Sequence, residues 1–343
     1  MDVTVFGTGT SGHQYVSSTI RKYVEKAGLD IHVVESTKVS DFLENKISSV
    51  PAIKYKDEVI TLKSNGSFNK SLRDAVKSIL KKSNYGAMTQ ILIPIDFSET
   101  SANAFFFGHR LASDLGLMVK LVHVFTPVVS DITGQVYYDP GQSDVAREQL
   151  NQFIEKYDKD WGSDLMGGAL VDGEVLLGYP ADQITRTTED PHTELVVVGT
   201  TGQSKIKDFL GSVSRSVIEN AKCPVLVIPR DSGYKQTKTI IAAAQSVDDI
   251  PYIREGIQKL FGSEGLQIEF ISVKNDVDPG KDKDLTILNG EDAEHTLSTY
   301  IDDHQPDLVV VWKKKHSFWE SLFHSSFSKN LAMLSHIPVL VLH

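Results

Sequence analysis

Two glycine-rich stretches, each at the end of an apolar run, are the parts of this chain best suited to chemistry. In one, ELVVVG leads into Gly199-Thr200-Thr201-Gly202, and eight residues later Gly211-Ser212-Val213-Ser214 opens a helical pattern. Glycines at the carboxyl end of a buried strand let backbone N–H groups come close to a phosphate. A helix start at Ser212 adds orphan N–H donors at the positive end of the helix dipole. Asp96 closes another apolar run, ILIPID. A carboxylate on the carboxyl edge of an open α/β sheet is placed to accept a hydrogen bond from a ribose hydroxyl. The competing reading is that the glycines only make a turn and a tight helix–strand contact. Asp96 and Ser212 on one edge favour a bound nucleotide.

The other stretch is Gly7-Thr8-Gly9-Thr10-Ser11-Gly12, between a strand and a helix, with Glu35 ending the next strand 23 residues later. Taken alone it satisfies a dinucleotide fingerprint with its ribose acid. Such a domain needs further parallel strands, whereas this segment turns into a hairpin within 30 residues. A nicotinamide-dependent reductase built on it is therefore the third reading. The remaining reactive types are sparse. Cys223 is the one cysteine, so no intramolecular disulfide and no cysteine zinc cluster can form. It precedes a buried strand and reads as a small core residue. No H-x-x-x-H pair sits on an expected helix, so no metal site stands out. Ser98, Ser101 and Cys223 have no His–acid arrangement nearby, so no hydrolytic triad is expected.

The elements that must hold these residues are legible from periodicity. The chain has 343 residues, 35 Lys+Arg against 45 Asp+Glu and a formal net charge of -10; that length implies two or three domains. With 41% hydrophobic and 23% charged residues the composition is that of a soluble globular protein. The opening MDVTVFGTG carries no basic n-region or cleavable apolar segment, and no apolar run suits a bilayer, so a cytoplasmic protein without membrane contact is expected. Residues 1–87 hold 13 Lys+Arg against 9 Asp+Glu, and the remainder 22 against 36. The basic residues of the first part, such as Lys77, Lys81 and Lys82, are scattered along helices without aromatic interleaving, which argues against nucleic acid. At most this segment docks on the acidic remainder.

An internal repeat sets the architecture. Residues 194–229 begin ELVVVG and end CPVLVIP; residues 307–342 begin DLVVVW and end IPVLVL. Upstream, TQILIPIDFS at 89–98 and TKTIIAAAQS at 237–246 are matching opening strands. In the first copy, strand 90–95, a helix capped by Ser98, strand 119–125, helix 143–160, strand 170–175, helix 180–189, strand 195–199, helix 212–221 and strand 224–229 alternate. That pattern means a doubly wound parallel sheet with helices on both faces. The second copy is shorter and has no counterpart of helix 143–160. Residues 1–82 read βαβαββα, with a hairpin at 51–55 and 58–62.

ILIPIDFSETSANA, HVFTP and VVVGTTG…GSVSRSVIENAKCPVLVIP resemble a universal stress protein domain, over 88–230 strongly and over 237–343 weakly. The family pattern has nine residues before the second glycine motif, and here there are eight. The resemblance implies an adenine nucleotide alpha hydrolase-like fold binding ATP with Mg2+. Asp96, beside Pro94 and Ile95, would hold the ribose, and the backbone near Val119 the adenine. Gly199, Gly202, Gly211, Ser212, Val213 and Ser214 would cradle the phosphates. It also implies that 224–229 and 338–342 pair antiparallel within one chain, and it leaves a homodimer open. In the second copy Asp96 is aligned with Ala244, Gly199 with Trp312, Gly202 with Lys315 and Gly211 with His324. That copy is expected to have lost its site. Residues 1–85 resemble a thioredoxin-like domain in which GTGTSGH stands where a redox member carries GTGCxxC. Thr10 and His13 replace the thiols, so the domain is expected to be redox-inactive.

The expectation is thus an α/β protein: a thioredoxin-like domain at 1–85 and universal stress protein domains at 88–230 and 237–343. It acts in a stress response as a nucleotide-responsive binding protein, with slow ATP hydrolysis or autophosphorylation at Ser212 or Ser214 at most. The rival is a scaffold that binds no nucleotide and takes a protein partner beside Val50-Pro51.

Overall fold

The computed structural model describes residues 2–26, 28–63, 68–83, 89–126, 128–129, 136–137, 140–160, 169–200, 211–274, 280–282, 284–313 and 337–343. The chain begins with β1 (Asp2–Phe6), α1 (Ser11–Lys26), β2 (His32–Ser36), α2 (Val39–Glu44), β3 (Ala52–Tyr55), β4 (Glu58–Thr61) and α3 (Phe68–Lys82). These strands form their own sheet in the order β2-β1-β3-β4. β1 and β2 are parallel, while β3 and β4 run antiparallel. The Val50–Pro51 peptide that leads into β3 is cis.

The next stretch holds β5 (Gln90–Pro94), α4 (Glu99–Leu115), β6 (Met118–Phe125), the short hairpin β7 (Val128–Val129) and β8 (Val136–Tyr137), and α5 (Pro140–Asp160). It continues through β9 (Val171–Leu177), α6 (Pro180–Thr187), β10 (Thr193–Gly199), α7 (Ser212–Asn220) and β11 (Val225–Ile228). The last part holds β12 (Thr239–Ala243), α8 (Ile250–Phe261), β13 (Gln267–Lys274), β14 (Gly280–Asp282), β15 (Leu285–Asn289), α9 (Ala293–His304), β16 (Leu308–Trp312) and β17 (Val339–Leu342). All but β7 and β8 join one large sheet, β14-β15-β13-β12-β16-β17-β11-β10-β5-β6-β9. Its middle is an antiparallel junction in which Val225 faces Val341 and Val227 faces Val339. Outward from that junction the order is β11-β10-β5-β6-β9 on one side and β17-β16-β12-β13-β15 on the other. β14 adds an antiparallel edge beside β15, in the stretch where the second half has no counterpart of helix 143–160.

The β-branched runs explain this layering. Along β10, Leu195 and Val197 pack into one core layer with α4 and α8, and Val196 and Val198 into the opposite layer with α6, α7 and α9. A strand buried on both faces must be apolar at every position. Among the described residues, no helix is long and apolar enough to cross a membrane.

The N-terminal sheet docks through α1 and α3 at the amino ends of β6 and β9. The Tyr23 hydroxyl donates to Leu117 O (3.2 Å) and accepts from Leu170 N (2.9 Å). Arg73 donates to Val171 O and lies 3.6 Å from Asp172. Lys22 donates to Ser113 O. Met118 and Leu170 are buried in the N-terminal core. The basic segment therefore sits at the amino edge of the sheet, and eight residues of β6 separate it from the carboxyl edge, about 25 Å of strand. Replacing Tyr23 by Phe leaves two buried backbone groups without their partner. We expect a loss of about 1–3 kcal/mol in guanidinium unfolding; an unchanged midpoint would show that the hydroxyl is not holding the contact.

The segment before β12 is tied by Asp307, whose carboxylate accepts from Lys238 N (2.9 Å), Thr239 N (2.9 Å), the Thr239 hydroxyl (3.0 Å) and Lys235 Nζ (2.6 Å). Desolvation pushes its pKa up, but Lys235 and the three donors around Thr239 outweigh it and hold it down at about 2. This stabilisation is therefore full above the ordinary carboxylate range and disappears as pH falls from about 4 to about 2. Wild-type stability should drop across that window by more than that of Asp307→Asn, read by thermal unfolding against pH. Parallel curves would contradict it.

Candidate functional site

At the carboxyl edge of the first half a cavity of ≈ 340 Å3 opens between β5, β6, β10 and the start of α7. Pro94, Ile95 and Asp96 form one wall, with Val122 and Val124 beside them. Ile184 and Pro180 of α6, Val198 and Gly199 of β10, and Gly211 to Ser214 form the other. The structure thus brings together eight of the ten residues singled out by sequence: Pro94, Ile95, Asp96, Gly199, Gly211, Ser212, Val213 and Ser214. Gly202 lies outside the described residues. Val119 does not line the cavity. It is fully buried near the amino end of β6, paired with Ile91 and Val171. Three residues of strand, about 10 Å, separate it from Val122, which stands at the cavity instead.

Local hydrogen bonds set the Asp96 carboxylate. One oxygen accepts from Ser98 N (3.0 Å) and from the Ser98 hydroxyl (2.6 Å). The same hydroxyl oxygen accepts from Ser101 N, so Ser98 caps α4 as its sequence position suggests. Asp96 N in turn donates to the Ser101 hydroxyl (3.4 Å). The D-x-S-x-x-S spacing carries this cluster, and only Ser98 of the two serines was legible beforehand.

The opposite wall is backbone. Gly211 is the N-cap of α7 in an extended conformation, with no side-chain cap. The first turn of this nine-residue helix thus lines the cavity without a capping side chain, the arrangement that suits an anion. Ser214 donates its hydroxyl hydrogen to Gly199 O (2.8 Å), whereas Ser212 is exposed. Gly199 also has a packing reason to be glycine. A Cβ there would stand 2.7 Å from Thr100 Cγ2 and 2.9 Å from Thr100 O, in the first turn of α4. Among the described lining residues Asp96 carries the one ionisable side chain.

Strand register corrects the alignment of the two halves. Ile91 pairs with Leu195 and Val119, and Ile240 pairs with Leu308 and Ile268. Ile240 is therefore the counterpart of Ile91, and counting on five residues puts Gln245, not Ala244, opposite Asp96. The slip arose because the alanine run offers no sequence landmark. Trp312 does stand where Gly199 stands, and it stacks on Tyr252 at 5.3 Å. Lys315 and His324 lie outside the described residues.

The N-terminal glycines serve a histidine. His13 is buried, accepts from Gly9 N at Nδ1 (3.1 Å) and, through Nε2, donates to Val5 O (3.2 Å). A Cβ on Gly7 would stand 2.5 Å from the His13 ring. Glu35 is paired with Arg21 at 2.8 Å. The loop is filled by its own side chain and the acid is engaged, which counts against a dinucleotide there. Cys223 is buried, and burial alone pushes its thiol up to about 12.

A model of the universal stress protein family matches residues 88–229. Universal stress protein MJ0531 of Methanocaldococcus jannaschii is 31% identical over 147 residues, which cover 41% of this chain and 82% of that protein. Universal stress protein YxiE of Bacillus subtilis is 30% identical over 148 residues, covering 40% of this chain and 97% of that protein. A crystal structure of a universal stress protein from Archaeoglobus fulgidus covers 74% of this chain and 95% of its own, with a TM-score of 0.54 and 17% identity, a likeness of fold. With Gly199, Gly211, Ser212 and Ser214 at the cavity and relatives of 31% and 30% identity covered over 82% and 97% of their length, the chain belongs to the universal stress protein family.

Proposed function

We propose that residues 88–230 bind one ATP, with Mg2+, and that the chain works as a nucleotide-responsive binding protein. The observation that carries this is the single cavity joining the Asp96 carboxylate to the uncapped start of α7 across an apolar wall of Val122, Val124, Ile184 and Val198. In this reading Asp96 takes the ribose, the valines and Ile184 face the base, and the N–H groups of α7 take phosphate. Among the described residues no cluster of three or more His, Cys, Asp or Glu is placed to hold a metal, so Mg2+ rides on the phosphates and water. If a phosphoryl group moves to the protein, the exposed Ser212 is its acceptor, because the Ser214 hydroxyl is committed to Gly199.

The same reading makes 237–343 a degenerate second domain, supported by the shared strand order and by Trp312 and Gln245 at the glycine and acid positions. It makes 1–85 a redox-inactive thioredoxin-like domain, supported by the β2-β1-β3-β4 order and by His13 filling its glycine loop. A scaffold role would draw on a cavity of ≈ 630 Å3 on the N-terminal sheet, lined in part by Thr4, Phe6, Val34 and Ser36 and not by Val50 or Pro51, beside which the partner was expected. Val39 and Leu43 of the neighbouring α2 are exposed, which suits a protein partner. Calorimetric titration of the full chain with Mg-ATP and, separately, NADH tests the assignment. Heat with ATP alone, at one site per chain, is expected. No heat with ATP moves the function to the scaffold, and heat with NADH alone revives the N-terminal site.

A further inference from the structure

Phe97, next to Asp96, has φ +63°. A bulky residue in the left-handed region is rare and persists only where its surroundings hold it. Its ring lies 4.5 Å from the His123 ring and 5.7 Å from the Phe153 ring of α5. His123 in turn lies 2.8 Å, through Nδ1, from Ile95 O, on the other side of Asp96. A carbonyl can only accept, so Nδ1 carries the hydrogen. Side chains alternate along β6: Val122 and Val124 line the cavity, and His123 between them faces the α4–α5 layer. One ring therefore grips the backbone before Asp96 by a hydrogen bond and the side chain after it by a tilted ring contact at 39°, from behind the cavity wall.

We propose that His123 is the positioning residue of the Asp96 loop. It fixes the Ile95–Phe97 backbone in the conformation that lets Asp96 meet both Ser98 and the cavity, and it touches no ligand itself. The link to nucleotide rests on the ATP reading, whereas the brace on the loop does not.

Two arms separate these. Without nucleotide, amide hydrogen exchange at Asp96, Ser98 and Ser101, whose N–H groups bond within the loop, should quicken at least about tenfold in His123→Phe while the amides of β10 stay unchanged. His123→Asn, which keeps an N–H near the Nδ1 position, should return exchange towards the wild-type rate. Equal loop exchange in wild type and His123→Phe, or faster exchange everywhere, overturns the proposal. In the second arm, His123→Phe should lose about tenfold or more in affinity for ATP and little for 2′,3′-dideoxy-ATP, whose ribose offers Asp96 no hydroxyl. Equal losses for both would show a general structural effect and overturn the proposal. A wild-type protein that binds neither nucleotide removes the ATP reading, and the exchange arm still decides the brace.

Discussion

Asp96→Ala should lower affinity for Mg-ATP about 10- to 100-fold, the worth of one hydrogen bond between a charged group and a hydroxyl. The carboxylate is doubly used, since the oxygen that accepts from Ser98 N and the Ser98 hydroxyl also orders the turn into α4. Alanine therefore removes the ribose acceptor and loosens the loop together. Asp96→Asn separates the two, because an amide oxygen can still accept from Ser98 but carries no charge. It should keep wild-type thermal stability and recover a minor part of the affinity. Titration calorimetry on both variants is the check. Asparagine binding ATP as tightly as aspartate would mean that the charge is not used.

Gly199→Ala should damage fold and site together. The added carbon would come within 2.9 Å of the Thr100 carbonyl, which is backbone and cannot turn aside as a flexible side chain can. β10 or the first turn of α4 must move, and overpacking of this kind costs about 1–3 kcal/mol. The same movement displaces Gly199 O, which holds Ser214 at the start of α7. Lower stability in urea should thus come with at least about tenfold weaker ATP binding. Full stability would show that the strand end is looser than these distances imply.

The two halves of the molecule were not equally legible from sequence. Strands such as LVVV at 195–198 and VLVI at 225–228 announce themselves because burial on both faces leaves no polar position. The carboxyl-edge residues follow once the strands are placed, which is why Asp96, Gly199 and Gly211 to Ser214 fall at one cavity. Val119 was misplaced because the end of a strand that meets the site depends on register, which the run MVKLVHVF does not reveal. Gln245 was missed for the same reason within TIIAAAQ. His123 and Phe97 carry no signal as a pair, since they lie 26 positions apart and meet only when β5 and β6 are side by side. Tyr23 reads as one more apolar helix residue, and its hydroxyl gains meaning only from the buried amino ends of β6 and β9 that it bridges.

Native mass spectrometry of the full chain at saturating Mg-ATP, for wild type, Asp96→Ala and Gln245→Ala, tests the central claim most directly. One nucleotide per wild-type chain, with occupancy clearly reduced in Asp96→Ala and not in Gln245→Ala once Mg-ATP is lowered to the wild-type dissociation constant, is the predicted result. Two nucleotides per chain, or one that disappears only in Gln245→Ala, would contradict the assignment of the site to the first half.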